Sequence, residues 1–256
     1  MKTEKEHSRV YVDSGSYVHA CVTRPLSNDS RRTVFVFSHG FSVDGTESYR
    51  LFIELSDALS SHGYPSVLFD YRGSGYSDLA FEDMTFDTEL ADLNAVVNFA
   101  RERFPDHHIA LWGMSFGCAV TACVASRRSD ISFMVLWCLS AEIHRRYREK
   151  LGVEIEERGY TYIDKGFKVK REFLESLKGR DVYAAIKDSS IPSLLVHGDA
   201  DTTASIELSR TAHKLAPDNT TLREIKGGNH GFKLQPAQYK EAVEITLGWI
   251  RQRPND

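Results

Sequence analysis

Eight stretches of the chain are dominated by apolar residues, with β-branched and aromatic side chains prominent: "RVYVD", "YVHACVT", "TVFVFS", "SVLFD", "IALW", "FMVLW", "SLLVHG" and "TLREI". Several are near-continuous rather than alternating, the pattern of strands buried on both faces of a sheet. Helical spacings run between the later ones. In "ESYRLFIELSDALSSHG", Leu51, Leu55 and Leu59 recur every four residues and Gly63 supplies a C-terminal stop. In "DTELADLNAVVNFARERFP", Leu90, Leu93 and Val97 follow at three and four before Pro105, and "PAQYKEAVEITLGWIRQR" closes the chain in the same way. Strands alternating with helices predict a mostly parallel sheet wrapped by helices. Only "SGS" separates the first two strands, which predicts an antiparallel hairpin at one edge.

One region breaks the rhythm. Residues 141–187, "AEIHRRYREKLGVEIEERGYTYIDKGFKVKREFLESLKGRDVYAAIK", are too many for one crossover helix. The alternating "GYTYIDKGFKV" inside them predicts a small hairpin. The region reads as an insertion above the sheet, dividing a core into residues 1–140 and 188–256.

Composition narrows the class. The 256 residues are 41% hydrophobic and 27% charged, ordinary for one large globular domain or one domain with an insertion. A net charge of -4 gives no reason to expect nucleic acid as a partner. The opening "MKTEKEHSRV" lacks the apolar run of a signal peptide, and no 18-residue apolar run suggests a membrane span, so a cytoplasmic protein is expected. The four cysteines form no CxxC pair and read as buried reduced thiols. Apart from the adjacent pair His107-His108, before a strand, no histidines sit at ligand spacing, so no metal is expected. No interface is legible, which leaves monomer and homodimer open.

The chemistry starts at Gly113-Met114-Ser115-Phe116-Gly117, where "IALW" reads as a buried strand and "FGCAVTACVAS" as a small-residue helix. A strand reversing sharply into a helix strains its turn residue. Flanking glycines remove the side chains that would clash and lift the serine oxygen clear of the sheet. A serine hydroxyl is a weak nucleophile at neutral pH and needs a base, and the base needs an orienting partner. "LLVHGDADTTAS" places Asp199 and Asp201 just beyond one buried strand, and "LREIKGGNHGF" places His230 just beyond the next. Both loops lie at strand C-terminal ends, where open α/β sheets carry their sites.

The chain resembles the α/β-hydrolase superfamily over nearly its whole length, on "FSHGF", "FDYRGSGYSD", "GMSFG", "HGDAD" and "GGNHGF" in that order. It is most similar to small-capped serine esterases of the feruloyl and cinnamoyl type and to serine-aminopeptidase-like hydrolases. The resemblance implies an eight-stranded, mostly parallel sheet with a small cap, formed here by residues 141–187. It implies Ser115 as nucleophile, His230 as base and Asp201 as acid, with Asp199 the alternative. The developing oxyanion would take the backbone N–H of the residue after the nucleophile, taken to be Met114, and that of Phe41.

The implied activity is hydrolysis of small carboxylic esters through an acyl-serine, with no cofactor and a small-molecule ester or acyl substrate. Thioesterase, amidase, aminopeptidase and carbon–carbon hydrolase activities share the triad, and a non-catalytic ligand-binding protein is the contrasting class. Serine at the elbow argues against the relatives that use aspartate there. His39 and His197, each before a glycine, read as makers of loop hydrogen bonds. Asp70 is expected to pair with Arg72 and loop backbone. The run "HRRYREK" reads as a solvated helix face, with an anion site for an acidic substrate as the sharper alternative. Tyr147, Tyr160, Tyr162, Phe167 and Phe173 read as a satellite core under the cap before they read as pocket lining.

Overall fold

In a computed structural model, which describes residues 3–25 and 31–253, all eight apolar stretches are strands of one sheet. The strands and helices follow in the order β1 (Thr3–Tyr11), β2 (Tyr17–Pro25), β3 (Thr33–Ser38), α1 (Leu51–Ser61), β4 (Ser66–Phe69), α2 (Phe86–Arg103), β5 (His108–Met114), α3 (Phe116–Ala125) and β6 (Ile131–Trp137). After β6 come α4 (Ile143–Arg158), a two-stranded ribbon of β7 (Tyr160–Tyr162) and β8 (Lys168–Lys170), α5 (Arg171–Ser176) and α6 (Val182–Asp188). The chain closes with β9 (Ser193–Gly198), α7 (Glu207–Leu215), β10 (Thr220–Ile225) and α8 (Pro236–Ile250).

The sheet order is β1-β2-β4-β3-β5-β6-β9-β10. The β1–β2 hairpin lies at one edge and joins the rest antiparallel through β4; every pairing from β4 to β10 is parallel. The near-continuous runs reflect burial on both faces. In β3, Val34 and Val36 pack with α2 and α3, while Phe35 and Phe37 pack with α1 and α8 on the other face. Trp112 of β5 and Trp137 of β6 lie fully buried in the second layer, with ring centroids 5.3 Å apart.

The helix ends follow their local chemistry. Gly63, just past α1, has φ 84°, the left-handed conformation that a helix stop favours. Thr85 and Thr88 form a reciprocal capping box at the start of α2, and Pro236 opens α8. Helices α6 and α7 complete the helical layers around the sheet. Each is short and buries few apolar residues, Val182 and Ile186 in one, Leu208 and Ala212 in the other.

The alternating segment within 141–187 is a hairpin, with Tyr160 opposite Lys170. The segment is not uniformly set above the sheet, because α6 packs against α3 and α7. Helices α4 and α5 dock through an aromatic cluster in which Tyr147 and Phe173 meet Phe41 and Phe116 at ring separations of 4.9–5.9 Å. Among the described residues, no helix is long and apolar enough to cross a membrane.

Candidate active site

The C-terminal ends of β3, β5, β9 and β10 converge on one cavity of about 700 Å³. Ser115 sits between β5 and α3 with φ 54° and ψ −117°, a conformation disfavoured for any side chain bearing a Cβ. It is the one residue from Ile109 to Ala125 that is not buried. The flanking glycines explain how the turn fits. A Cβ on Gly117 would stand 2.2 Å from the Ser38 carbonyl oxygen, and one on Gly113 would stand 2.7 Å from the Cα of Cys118. Any side chain at either position would push the elbow away from β3 or α3 away from β5.

His230 and Asp201 come from the loops after β10 and β9. His230 Nδ1 lies 2.7 Å from Asp201 Oδ2. A carboxylate only accepts, so the imidazole carries its proton on Nδ1 and leaves the Nε2 lone pair free. The other carboxylate oxygen accepts the backbone N–H groups of Thr203 and Ala204, both at 2.8 Å. Burial alone would raise the Asp201 pKa. Hydrogen bonds from His197 and His230 and from backbone outweigh it and hold the carboxyl well below its usual range. Asp199 does not meet the histidine; its Oδ1 accepts the Gly227 N–H at 2.6 Å and ties the two loops together.

His39 is buried and makes loop hydrogen bonds on both sides. Its Nδ1–H donates to the Gly40 carbonyl at 2.9 Å, and its Nε2 accepts the Tyr71 N–H at 3.1 Å. Burial pushes its pKa down. His197 is also buried, between Ser209 Oγ at 2.7 Å and the Ala204 carbonyl at 2.9 Å. It does more than brace a loop, since its Nε2 lies 3.2 Å from Asp201 Oδ2.

Two expectations need correction. Met114 precedes Ser115 and is the last residue of β5, fully buried in the sheet beside Trp137 of β6. The N–H that follows the elbow serine is that of Phe116, the first residue of α3, which has no intrahelical acceptor. By residue order, then, Phe116 and not Met114 is the residue that follows the elbow serine. Asp70 does not pair with Arg72. Its carboxylate accepts the N–H groups of Gly45 and Tyr76 and faces His19 at 3.2 Å, while Arg72 is bound by Asp92 at 2.6 Å and Asp13 at 3.1 Å.

Phe41 lies in the turn after β3 and lines the cavity. Gly40 beside it rests against the elbow, where an added Cβ would stand 3.5 Å from the Ser115 Cβ. That turn is held by Glu47, a buried residue the motifs did not single out, whose Oε2 accepts the Gly40 N–H at 2.7 Å. Cys138, just past the end of β6, is one of the buried free thiols. Its sulfur accepts the Gly231 N–H at 3.2 Å beneath the histidine loop, and burial pushes its thiol pKa far up. Cys138, Asp201 and His230 have donor atoms mutually within 4.8 Å, but both of the latter are engaged with one another.

A family model described as the alpha/beta hydrolase fold matches residues 33–146. Est1E from Butyrivibrio proteoclasticus, solved with ferulic acid bound, superposes with a TM-score of 0.85 at 23% identity over 96% of this chain and 100% of that one. The chain has the α/β-hydrolase fold. The esterase domain of a Rhodothermus marinus protein shares it at a TM-score of 0.73 and 18% identity, covering 99% of each chain. Among curated proteins, lysophosphatidylserine lipase ABHD12 of Danio rerio is 25% identical over 89% of this chain and 57% of its own length. The Mus musculus protein of the same name is 26% identical over 77% of this chain and 48% of its own length. The chain thus spans about half the length of the curated relatives it matches.

Proposed function

We propose that this protein is a serine hydrolase of carboxylic esters. The observation that carries the reading is the 2.7 Å contact from His230 to Asp201, on the rim of the cavity that also holds the strained Ser115. Esterases and a lipase among the similar proteins support the same bond type. Ser115 Oγ attacks the ester carbonyl carbon as His230 Nε2 takes its proton. Negative charge gathers on the former carbonyl oxygen, where the N–H groups of Phe41 and Phe116 receive it. One such donor is worth on the order of 3 kcal/mol of transition-state stabilisation.

His230 then passes the proton to the departing alkoxide, leaving an acyl-serine. A water molecule, deprotonated by His230, attacks that acyl carbon and releases the acid and free Ser115. Asp201 keeps the imidazole in the required tautomer and stabilises its charged form. In this reading α4, α5 and the β7–β8 ribbon form a small cap over the cavity. The four free cysteines, three of them buried, suit a reducing compartment.

A fluorophosphonate probe tests the nucleophile. Folded wild-type protein is expected to be labelled on Ser115, and Ser115→Ala to lose both labelling and turnover of p-nitrophenyl esters. Equal labelling of the two proteins, or none of the folded wild type, overturns the reading. Preference for acyl thioesters or aminoacyl amides in the same panel would reassign the leaving group and keep the triad.

A further inference from the structure

The basic run His144–Lys150 on α4 is not one solvated face. Arg145 pairs with Glu142 and Glu149, and Arg148 pairs with Glu156, all on the outer side. Arg146 and Lys150, one helical turn apart, face the other way and line the cavity with Ser115. Lys165 and Lys233 line it as well. Among the described residues none of these four cations is in an ion pair. Two carboxylates share the lining, Asp164 at the exposed rim and Glu47. Glu47 is already committed to the N–H groups of Gly40 and Ser48.

Arg146 is positioned as well as unpaired. One terminal nitrogen donates to Ser140 Oγ and the other to the Thr203 carbonyl. Those anchors belong to the site itself. The Ser140 N–H donates to the Ser115 carbonyl at 3.3 Å, and Thr203 bonds the Asp201 carboxylate. Both anchors are neutral, so the guanidinium is oriented without being neutralised. A guanidinium has five N–H donors, which leaves part of the fork for a ligand. An oriented cation without a counter-ion at the edge of a cavity binds an oxyanion at little ordering cost.

We propose that the ester cleaved here carries an anionic group, a carboxylate or a phosphate, which binds between Arg146 and Lys150 while the ester carbonyl lies at Ser115. This rests on the ester-hydrolase reading and adds the substrate's charge to it. Lys165 and Lys233 raise the local potential, and Phe41 and Tyr147 supply the apolar wall next to the anion.

Two pairs of esters test it. The mono-4-nitrophenyl ester of adipic acid is compared with 4-nitrophenyl hexanoate, and hexanoylglycerol phosphate with hexanoylglycerol. In at least one pair the anionic member is expected to have a kcat/KM about tenfold or more above its neutral partner. The pair that shows it distinguishes a carboxylate from a phosphate. The preference is expected to shrink in Arg146→Gln and Lys150→Gln and in high salt, and to persist in Arg148→Gln, whose side chain faces away. Lys150 holds no loop of the site, so its variant separates charge from structural damage. Neutral esters cleaved as well as anionic ones, or a preference that survives both substitutions, overturns the proposal and leaves the hydrolase reading intact. If no ester is cleaved, that reading fails instead. Calorimetric binding of hexanoate and hexyl phosphate then decides the anion site, with weakening in Arg146→Gln expected and no binding of either overturning it.

Discussion

Ser115 is held at positive φ by two glycine-dependent close approaches, and the roles of nearby residues are assigned by single hydrogen bonds of 2.6 and 2.7 Å. The clearest case is the pair of aspartates two residues apart. Asp201 accepts from His230 and has a carboxyl pKa held low, while Asp199 accepts only a backbone N–H of the next loop. Asp201→Asn turns an acceptor into a group that can force the wrong imidazole tautomer, and kcat is expected to fall on the order of 10⁴-fold. Asp199→Asn keeps an amide oxygen for Gly227 and is expected to stay within about tenfold of wild type. Steady-state kinetics on both variants checks this, and equal losses would undo the assignment of the acid. The motif order pointed to Asp201, but only the folded loops show which carboxylate reaches the ring. Phe116, not Met114, follows Ser115, so residue order alone gives the N–H that comes after the elbow serine.

At the scale of elements, α2 and α4 show how one helix serves several demands. Helix α2 buries Leu90, Leu93 and Val97 as its spacing predicts, and it also buries Glu89. The Oε2 of Glu89 has no partner among the described residues. Burial, reinforced by nearby Asp92, pushes its pKa well above the usual carboxylate range. In the unfolded chain Glu89 loses its proton near pH 4, whereas the folded chain keeps it to higher pH. The folded state thus holds the extra proton, and the group's contribution to stability declines as pH rises from about 4 toward the folded value. Glu89→Gln cannot ionise, so its melting temperature relative to wild type is expected to climb between about pH 5 and pH 8 in calorimetry. A difference independent of pH would show that Glu89 ionises normally in the folded protein. In α4 the charges read as one basic run in sequence, yet Glu142, Glu149 and Glu156 neutralise only its outer members.

Across the whole molecule, the sheet is buried on both faces, whereas the β7–β8 ribbon within residues 141–187 is thinly packed. Every residue of β6 but one is buried, as is every residue of β5 after His108, whereas β7 buries one residue of three in a two-stranded ribbon. Hydrogen exchange is therefore expected to be slowest in β5 and β6 and at least about a hundredfold faster in β7 and β8. Mass-spectrometric exchange with peptide resolution reads this directly, and equal protection would show that the ribbon opens only with the core.

The eight strands, the main helices, the edge hairpin and the strand-end positions of Ser115, Asp201 and His230 are legible in the order of residues alone. Burial direction is a local periodic property, and a glycine-flanked turn announces itself in five residues. The partners of individual side chains emerge only on folding. Arg72 chose Asp92 over Asp70, Glu47 took the Gly40 turn, and Arg146 turned inward where Arg145 did not. Most of these contacts join groups from separate elements, and their energies depend on distance and dielectric rather than on spacing along the chain.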